Sequence, residues 1–126
     1  MTRSASVTAA PSELQIVGLF RSRVRTHCPA VKVIGIPNAA KRGQKAMNQA
    51  RREGAAWGAP DCVCIWPNRG IAWIEFKTAD GKVSDNQADF HELLRDFGHS
   101  ITVARSADEA LAFLASCGAP FLARAA

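Results

Sequence analysis

The sequence predicts an α/β fold in which a mixed central β-sheet is flanked by helices. Short runs rich in β-branched and apolar residues alternate with segments of helical periodicity. Two of these runs are separated by Pro-Asn-Arg-Gly, a typical turn sequence, which indicates a hairpin. The resulting order is helix, strand, long loop, two strands, helix, strand, helix. This order implies a mixed sheet with helices packed against it.

The first helix is predicted from residue 12 to about Cys28. Ser12 and Gln15 have the spacing of a capping box, in which each side chain satisfies a backbone N–H group of the other residue. Pro29 disfavours continuation of the helix. The apolar stripe expected on this helix consists of Leu14, Val17, Phe20 and Val24.

Three strands and one long connection follow. Residues 31–36 are rich in β-branched side chains and predict the first strand. Residues 38–60 form a long basic connection, with a short helix predicted around 44–52. Residues 61–66 and 71–77 are the two strands of the hairpin. A connection as long as 38–60 within a small domain is usually functional or mobile.

The second half of the chain contains two further capping-box patterns. Ser84 and Gln87 begin a helix predicted to run to about Phe97, and residues 101–104 form the fourth strand. The last helix is predicted over 106–118, again from a capping box. The apolar stripe expected on the Ser84 helix consists of Phe90, Leu93, Leu94 and Phe97.

The length and composition indicate one domain. The chain has 126 residues, enough for a single hydrophobic core. We expect a flexible tail over residues 1–11 and a single domain over residues 12–126. The tail lacks the apolar segment of a secretory signal, and no uncharged stretch reaches the about 20 residues of a membrane span. We therefore expect a cytoplasmic protein with no membrane partner.

Positive charge is concentrated between Glu13 and Glu53. This interval holds nine lysines and arginines and no acidic residue, within a chain of net charge +5. Such a segment favours a polyanion partner, with an ordinary basic surface as the alternative. The residues predicted to contact a nucleic-acid backbone are Arg21, Arg25, Lys41, Arg42, Lys45, Arg51 and Arg52.

The cysteines and histidines show no recognisable motif. The four cysteines lack zinc-site spacing, and Cys62 and Cys64 lie two apart on one face of a strand. We therefore expect buried core cysteines rather than metal ligands. His27, His91 and His99 are scattered and are expected at the surface.

The hairpin brings acidic and basic residues together. Side chains alternate along a strand, so Glu75 and Lys77 share one face. Pairing the strands about the turn places Asp61 near Phe76, within about one residue. Two carboxylates and a lysine then converge at one end of the hairpin. The alternatives are an exposed salt bridge between Glu75 and Lys77 and a simple turn role for Asp61.

This pattern, Pro60-Asp61 followed by Glu75-Phe76-Lys77, resembles the PD-(D/E)xK nuclease motif. The resemblance extends to the VRR-NUC family of that superfamily and covers roughly residues 12–115. It implies a restriction-endonuclease-like core. The flanking segments that support it are Ile36-Pro37-Asn38, Gly54, Gly58-Ala59, Gly81-Lys82-Val83-Ser84 and Gln87.

The resemblance implies a metal site for Mg²⁺ or Mn²⁺. Asp61 and Glu75 would be direct ligands, and the backbone carbonyl of Phe76 a third. Such hard cations prefer oxygen ligands and retain several waters. Glu13, in the first turn of the first helix, is a further possible ligand. Its alternative role is to favour the helix N-terminus through the helix dipole.

The resemblance also implies catalytic roles for Lys77 and Gln87. Lys77 would position the attacking water, help to deprotonate it, or offset charge on the phosphate. Gln87 would orient Lys77 or the water. Its alternative role is only that of the capping-box partner of Ser84, because one amide is not expected to fill both roles easily.

The expected activity is metal-dependent hydrolysis of phosphodiester bonds by a structure-selective DNA endonuclease. Small standalone members of the family are described as dimeric nucleases of branched DNA, typically from phages or bacteria. Four-way (Holliday) junctions or flaps are therefore the expected substrates, and a homodimer the expected assembly. The alternatives are a non-catalytic nucleic-acid-binding module and an enzyme of the same fold with another target, such as RNA or a restriction site.

Overall fold

The computed structural model describes residues 9–37, 45, 48–49 and 57–123. Within 9–37 and 57–123 the chain forms a four-stranded sheet and three helices, which confirms the predicted α/β class. In chain order the elements are α1 (Glu13–His27), β1 (Lys32–Gly35), β2 (Cys62–Trp66), β3 (Gly70–Phe76), α2 (Asp85–Asp96), β4 (Ile101–Ala104) and α3 (Ala107–Ser116).

The sheet is mixed, as predicted, and its strands lie in sequence order from β1 to β4. β2 is antiparallel to both β1 and β3, whereas β3 and β4 are parallel and are connected through α2. Cys62 lies opposite Ile74, one residue from the expected pairing. The predicted hairpin is therefore confirmed, and its register lies within the one-residue tolerance of the prediction.

A tight turn fixes this register. Asn68 and Arg69 both have left-handed backbone conformations, with φ of 66° and 68°. Two such residues match the twist of the flanking strands. Gly70 follows, and a Cβ there would lie 2.0 Å from Nε1 of Trp66, so the indole occupies the space of a side chain.

One face of the sheet carries the hydrophobic core beneath α1 and α3. The rings of Phe20 on α1 and Phe76 on β3 lie 5.3 Å apart in a tilted arrangement. Burial of large aromatic side chains dominates the stability of a core of this size. Cys28, Cys62 and Cys64 are buried in the same cluster, which confirms the prediction that the cysteines have a structural role there.

Two of the three predicted capping boxes are complete. The boxes at Ser12 and Ser84 each have both reciprocal hydrogen bonds. The third prediction is only half correct, because Glu109 Oε1 accepts the N–H of Arg105 at 2.8 Å instead of that of Ser106. The Ser106 hydroxyl still accepts the N–H of Glu109 at 3.1 Å.

The predicted apolar stripes are wrong in part. Leu14 is 82% exposed, because the buried face of α1 consists of Ile16, Phe20 and Val24. In the second stripe, Leu93 of α2 is 44% exposed and Phe97, the residue that follows α2, is 70% exposed. The buried residues of α2 are Gln87, His91 and Leu94, so this helix turns a partly polar face towards the sheet.

Some predictions fall outside the described residues. They include most of the tail over 1–11 and most of the helix predicted over 44–52, of which Lys45, Asn48 and Gln49 are described and helical. In the part of the chain that is described, no helix combines the length and apolar character that a membrane crossing requires.

Candidate active site

Buried charge marks one end of the sheet, on the face that α2 covers. Glu75 is 0% exposed and Lys77 is 8% exposed, whereas the alternate residues Ile74 and Phe76 point into the core on the other face. Lys77 Nζ lies 3.7 Å from Glu75 Oε2. The alternative of an exposed salt bridge is therefore wrong, because both side chains are withdrawn from water.

Asp61 lies beside this pair at the start of β2. Continuing the observed register by one residue places Asp61 opposite Glu75, and residues in that relation share one face of the sheet. Asp61 Oδ2 accepts the N–H of Phe76 at 2.7 Å, and its carbonyl oxygen accepts the N–H of Ile36 at 2.8 Å. Asp61 is thus held by both neighbouring strands, as the convergence of Asp61 with Glu75 requires.

Gln87 connects α2 to this carboxylate. Its Nε2 donates to Glu75 Oε2 at 3.0 Å, and its Oε1 accepts the N–H of Ser84 at 3.0 Å. One amide therefore completes the cap and also contacts a carboxylate of the site, because its two ends point to different partners; the contact is to Glu75 rather than to Lys77. The capping box therefore fixes the orientation of the Gln87 side chain towards the site.

Gly58 locks the segment before Asp61 against the start of α2. Its φ is +80°, a conformation that favours glycine, and a Cβ would lie 2.3 Å from the carbonyl oxygen of Asn86. The same Cβ would lie 2.9 Å from the backbone nitrogen of Gln87. Close backbone contact therefore places Asp61 and Gln87 in fixed relation to one another.

Arg105 braces the connection between β3 and α2. Its Nη1 donates to the carbonyl oxygens of Thr78 and Gly81, both at 2.7 Å. The carbonyl oxygen of the preceding residue, Ala104, accepts the N–H of Lys77 at 3.1 Å. Both contacts hold the chain that leaves β3 at Lys77. Arg105 could not be identified from the sequence, because its partners are backbone atoms remote in sequence.

His91 is buried, so the prediction of a surface position for this histidine is wrong. It is 3% exposed rather than at the surface, and it lies one turn after Gln87 on the same face of α2. Burial lowers the pKa of His91, and the charges of Arg95 and Lys77 lower this pKa further, while Asp61 opposes them. The signal in the sequence was the spacing of four between two polar residues.

A basic groove lies between α1 and the edge strand β1. Arg21, Arg25 and Lys32 line it, and its volume is about 160 Å³. A hydrogen bond with Cys64 is the main cause that raises the pKa of Cys62, followed by burial, and the charge of Arg21 opposes this rise. Arg21 therefore lies on the core side of the sheet, which Cys62 faces, whereas Asp61 and Glu75 share the other face.

The other predicted site residues are less closely placed. Glu13 is the first residue of α1 and is half-buried, two turns before Phe20. Lys45 is exposed. The remaining predicted contacts to nucleic acid lie outside the described residues: Lys41, Arg42, Arg51 and Arg52.

The donor set is compatible with a hard divalent cation. Among the described residues no group of three His, Cys, Asp or Glu side chains is arranged to hold a metal ion. Mg²⁺ is commonly bound through one or two carboxylates, with water completing its shell. Asp61 and Glu75, opposite each other in the extended register, provide that number of carboxylates.

Comparison with known proteins agrees with this arrangement. A search of curated proteins and a search of solved structures found no match. The family model of the VRR-NUC domain matches residues 25–108, which is more than half of the chain and includes every residue from Asp61 to His91. VRR-NUC domains are nuclease domains, and half-buried Asp61, buried Glu75 and buried Lys77 all lie inside the matched region. This chain belongs to the VRR-NUC domain family.

Proposed function

We propose that this protein is a metal-dependent DNA endonuclease that hydrolyses phosphodiester bonds. One observation carries the proposal: Glu75 is fully buried, yet contacts both Lys77 and Gln87 at the end of the sheet where Asp61 lies. A buried carboxylate is costly unless it is paired or binds a metal. In a nuclease domain, such a carboxylate would bind the metal ion that promotes phosphodiester hydrolysis.

Asp61 and Glu75 would hold Mg²⁺ or Mn²⁺, with the Phe76 carbonyl as a further ligand and Glu13 a candidate through water. Bound there, the ion would supply a nucleophile from water at neutral pH and stabilise charge on the phosphate. The Asp61 carboxylate has Oδ1 available for this role, since Oδ2 accepts the N–H of Phe76. Gln87 would keep the Glu75 carboxylate in place during substrate binding.

Lys77 would act on the water and the phosphate. In the hydrolysis, the water oxygen forms a bond to phosphorus and one ester P–O bond breaks. The electron pair of that bond stays on the leaving oxygen, which takes a proton to become a hydroxyl, while the water loses a proton to solvent. The Lys77 ammonium, held close to Glu75, would orient the water and offset charge on the non-bridging oxygens.

The basic groove would guide the DNA backbone to this site. Arg21 and Arg25 line this groove one helical turn apart on α1, so the two can contact successive parts of one strand. Contacts of this kind position a duplex without reading its sequence. We therefore propose selection by DNA structure, with four-way junctions or flaps as substrates.

Symmetric cutting of a four-way junction needs two active sites. The described residues of one chain form one such site, so we propose a homodimer with two-fold symmetry. Sedimentation of the protein alone and with a junction would measure its assembly. A monomer on the junction that makes uncoordinated nicks would contradict this part of the proposal.

The experiment that tests the activity compares labelled duplex, flap, four-way-junction and RNA hairpin substrates in Mg²⁺, Mn²⁺ or EDTA. We expect cleavage of branched DNA that depends on the metal and is lost in Asp61→Asn, with DNA binding retained. Asp89→Asn, an exposed position on α2, is the matched control and should cleave normally. Binding without cleavage in either metal would contradict the nuclease proposal, and cleavage confined to RNA would contradict the DNA target.

A further inference from the structure

His91 is the buried polar group of α2 that the proposed hydrolysis does not yet use. Its imidazole Nε2 is fully buried and has no hydrogen-bond partner among the described residues. Buried polar atoms are nearly always paired with protein or with ordered water. An unpaired ring nitrogen inside the site therefore indicates a place for a small polar molecule.

The surroundings of His91 identify that molecule. Gln87, one turn before His91 on the same face of α2, donates to Glu75 Oε2, the oxygen that Lys77 Nζ approaches to 3.7 Å. Burial lowers the pKa of His91, and the charges of Arg95 and Lys77 lower this pKa further. The ammonium of Lys77 offers three N–H donors, and it meets Glu75 Oε2 at 3.7 Å, which is longer than a hydrogen bond. The molecule between them has to accept from an ammonium and donate to a ring nitrogen. A water molecule does both.

We propose that His91 Nε2 and Lys77 Nζ together hold the water that attacks the phosphodiester. This inference rests on the proposed function and adds a catalytic residue to it. The imidazole is neutral, with its hydrogen on Nδ1 and the lone pair of Nε2 accepting from the water. No proton needs to remain on His91, and the bonds formed and broken are those of the hydrolysis described above.

The position of α2 determines where the Nε2 lone pair of His91 points. The Ser84–Gln87 capping box fixes the first turn of α2, and Gln87 binds Glu75 from that turn. His91 lies one turn further along the same face, which is set over the sheet by the same contacts. Phe97, which the apolar stripe predicted to be buried, is instead largely exposed. The helix is therefore rotated so that Gln87 and His91, rather than Phe97, lie against the sheet.

The first measurement is the side-chain ¹⁵N spectrum of histidine in the wild-type protein at neutral pH, without DNA. We expect the neutral tautomer with the hydrogen on Nδ1 for His91, because the two neutral tautomers and the cation give different ring-nitrogen shifts. A hydrogen on Nε2, or a cationic ring, would overturn the proposal whether or not the protein cleaves DNA.

The second measurement is single-turnover cleavage by His91→Leu and His91→Gln, with DNA affinity measured separately in EDTA. We expect His91→Leu to cleave about 10 to 100 times more slowly at unchanged affinity, the range for a misplaced reactant. His91→Gln, which offers an amide oxygen near the position of Nε2, should recover most of the rate. His99→Leu, a half-buried histidine outside the site, is the control.

The outcomes separate this inference from the proposed function. If the wild type cleaves DNA and folded His91→Leu cleaves at the same rate, this inference is wrong and the nuclease proposal stands. If His91→Gln is as slow as His91→Leu, Nε2 does not act as an acceptor and the inference is also wrong. If the wild type cleaves nothing, both proposals fail together.

Discussion

α1 and α2 begin with the same device but differ in what it serves. In α1, Gln15 accepts the N–H of Ser12 at 2.8 Å and its side chain is exposed. In α2, Gln87 accepts the N–H of Ser84 at 3.0 Å, but its amide nitrogen also donates to buried Glu75. A capping box therefore shows where a helix begins, while its surroundings decide whether it also orients a functional group.

The largest difference between the two capping boxes is expected in the cleavage rate, when the glutamine of each box is replaced by glutamate. Gln87→Glu keeps an acceptor for the N–H of Ser84 but loses the donor to Glu75 and places a second negative charge against it. We expect single-turnover cleavage at neutral pH to fall by about 100-fold or more, as when an active-site donor is removed. Gln15→Glu should cleave as the wild type does. Equal rates for Gln87→Glu and Gln15→Glu would show that the Glu75 contact is unimportant.

A second difference between the two helices is how closely other backbone atoms approach the glycine at each one. Gly58 touches the backbone of α2 in a left-handed conformation, whereas Gly18 of α1 has no atom within 4 Å of the position of a Cβ. We expect Gly58→Ala to lower the free energy of unfolding by about 2 kcal/mol or more and to slow cleavage. Gly18→Ala should instead raise it by about 0.5 to 1 kcal/mol. Urea unfolding measures both, and a neutral Gly58→Ala would contradict the close approach.

Removing the capping hydroxyls should have a smaller effect that is shared by both helices. Ser12→Ala and Ser84→Ala should each lower the free energy of unfolding by about 1 kcal/mol. Because Gln87 keeps its bond to Glu75 in Ser84→Ala, we expect its cleavage rate to change only a few-fold. A collapse of activity in Ser84→Ala, with stability preserved, would show that the cap itself controls the site.

The smallest effect is a pH dependence confined to α2. The pKa of His91 is lowered in the folded protein by burial and by Arg95 and Lys77, against the opposing charge of Asp61. As pH falls below the unfolded value of about 6.5, the unfolded chain therefore binds the proton first and stability decreases. We expect His91→Gln to lose less stability than the wild type between pH 7 and 5.5, measured by thermal unfolding. His27→Gln, at an exposed position on α1, should keep the wild-type slope.

The sequence predicted the hairpin and the convergence of its charges well. The alternation of side chains in β3 put Glu75 and Lys77 on one face, and the short turn limited Asp61 to the neighbourhood of Phe76. These are local relations, fixed by strand period and turn length. The nuclease family followed from the same residues and is shown by the match over residues 25–108.

The orientation of α2 could not be predicted in the same way. Hydrophobic periodicity favoured Phe90 and Phe97 as buried residues, yet the helix buries Gln87 and His91. Rotation of a helix about its axis depends on the surface that it covers, and here that surface carries Glu75. A face chosen by apolar content alone therefore missed His91. The brace formed by Arg105 was missed because its acceptors are carbonyl oxygens, which every residue possesses.

The tight turn between β2 and β3 offers a practical opening for protein engineering. Asn68 and Arg69 are exposed, and the five residues of β2 together with Pro67 separate them from Asp61; the five strand residues alone span about 17 Å of extended chain. Exposed turn tips are the places where added groups are best tolerated. A fluorescent label carried on the side chain at position 69 would leave in place the tight turn that fixes the register, and it would report on the protein from the far end of the sheet, while Gly70 stays beneath Trp66. Such a reporter would allow DNA encounter to be followed without altering the chain that surrounds the carboxylates.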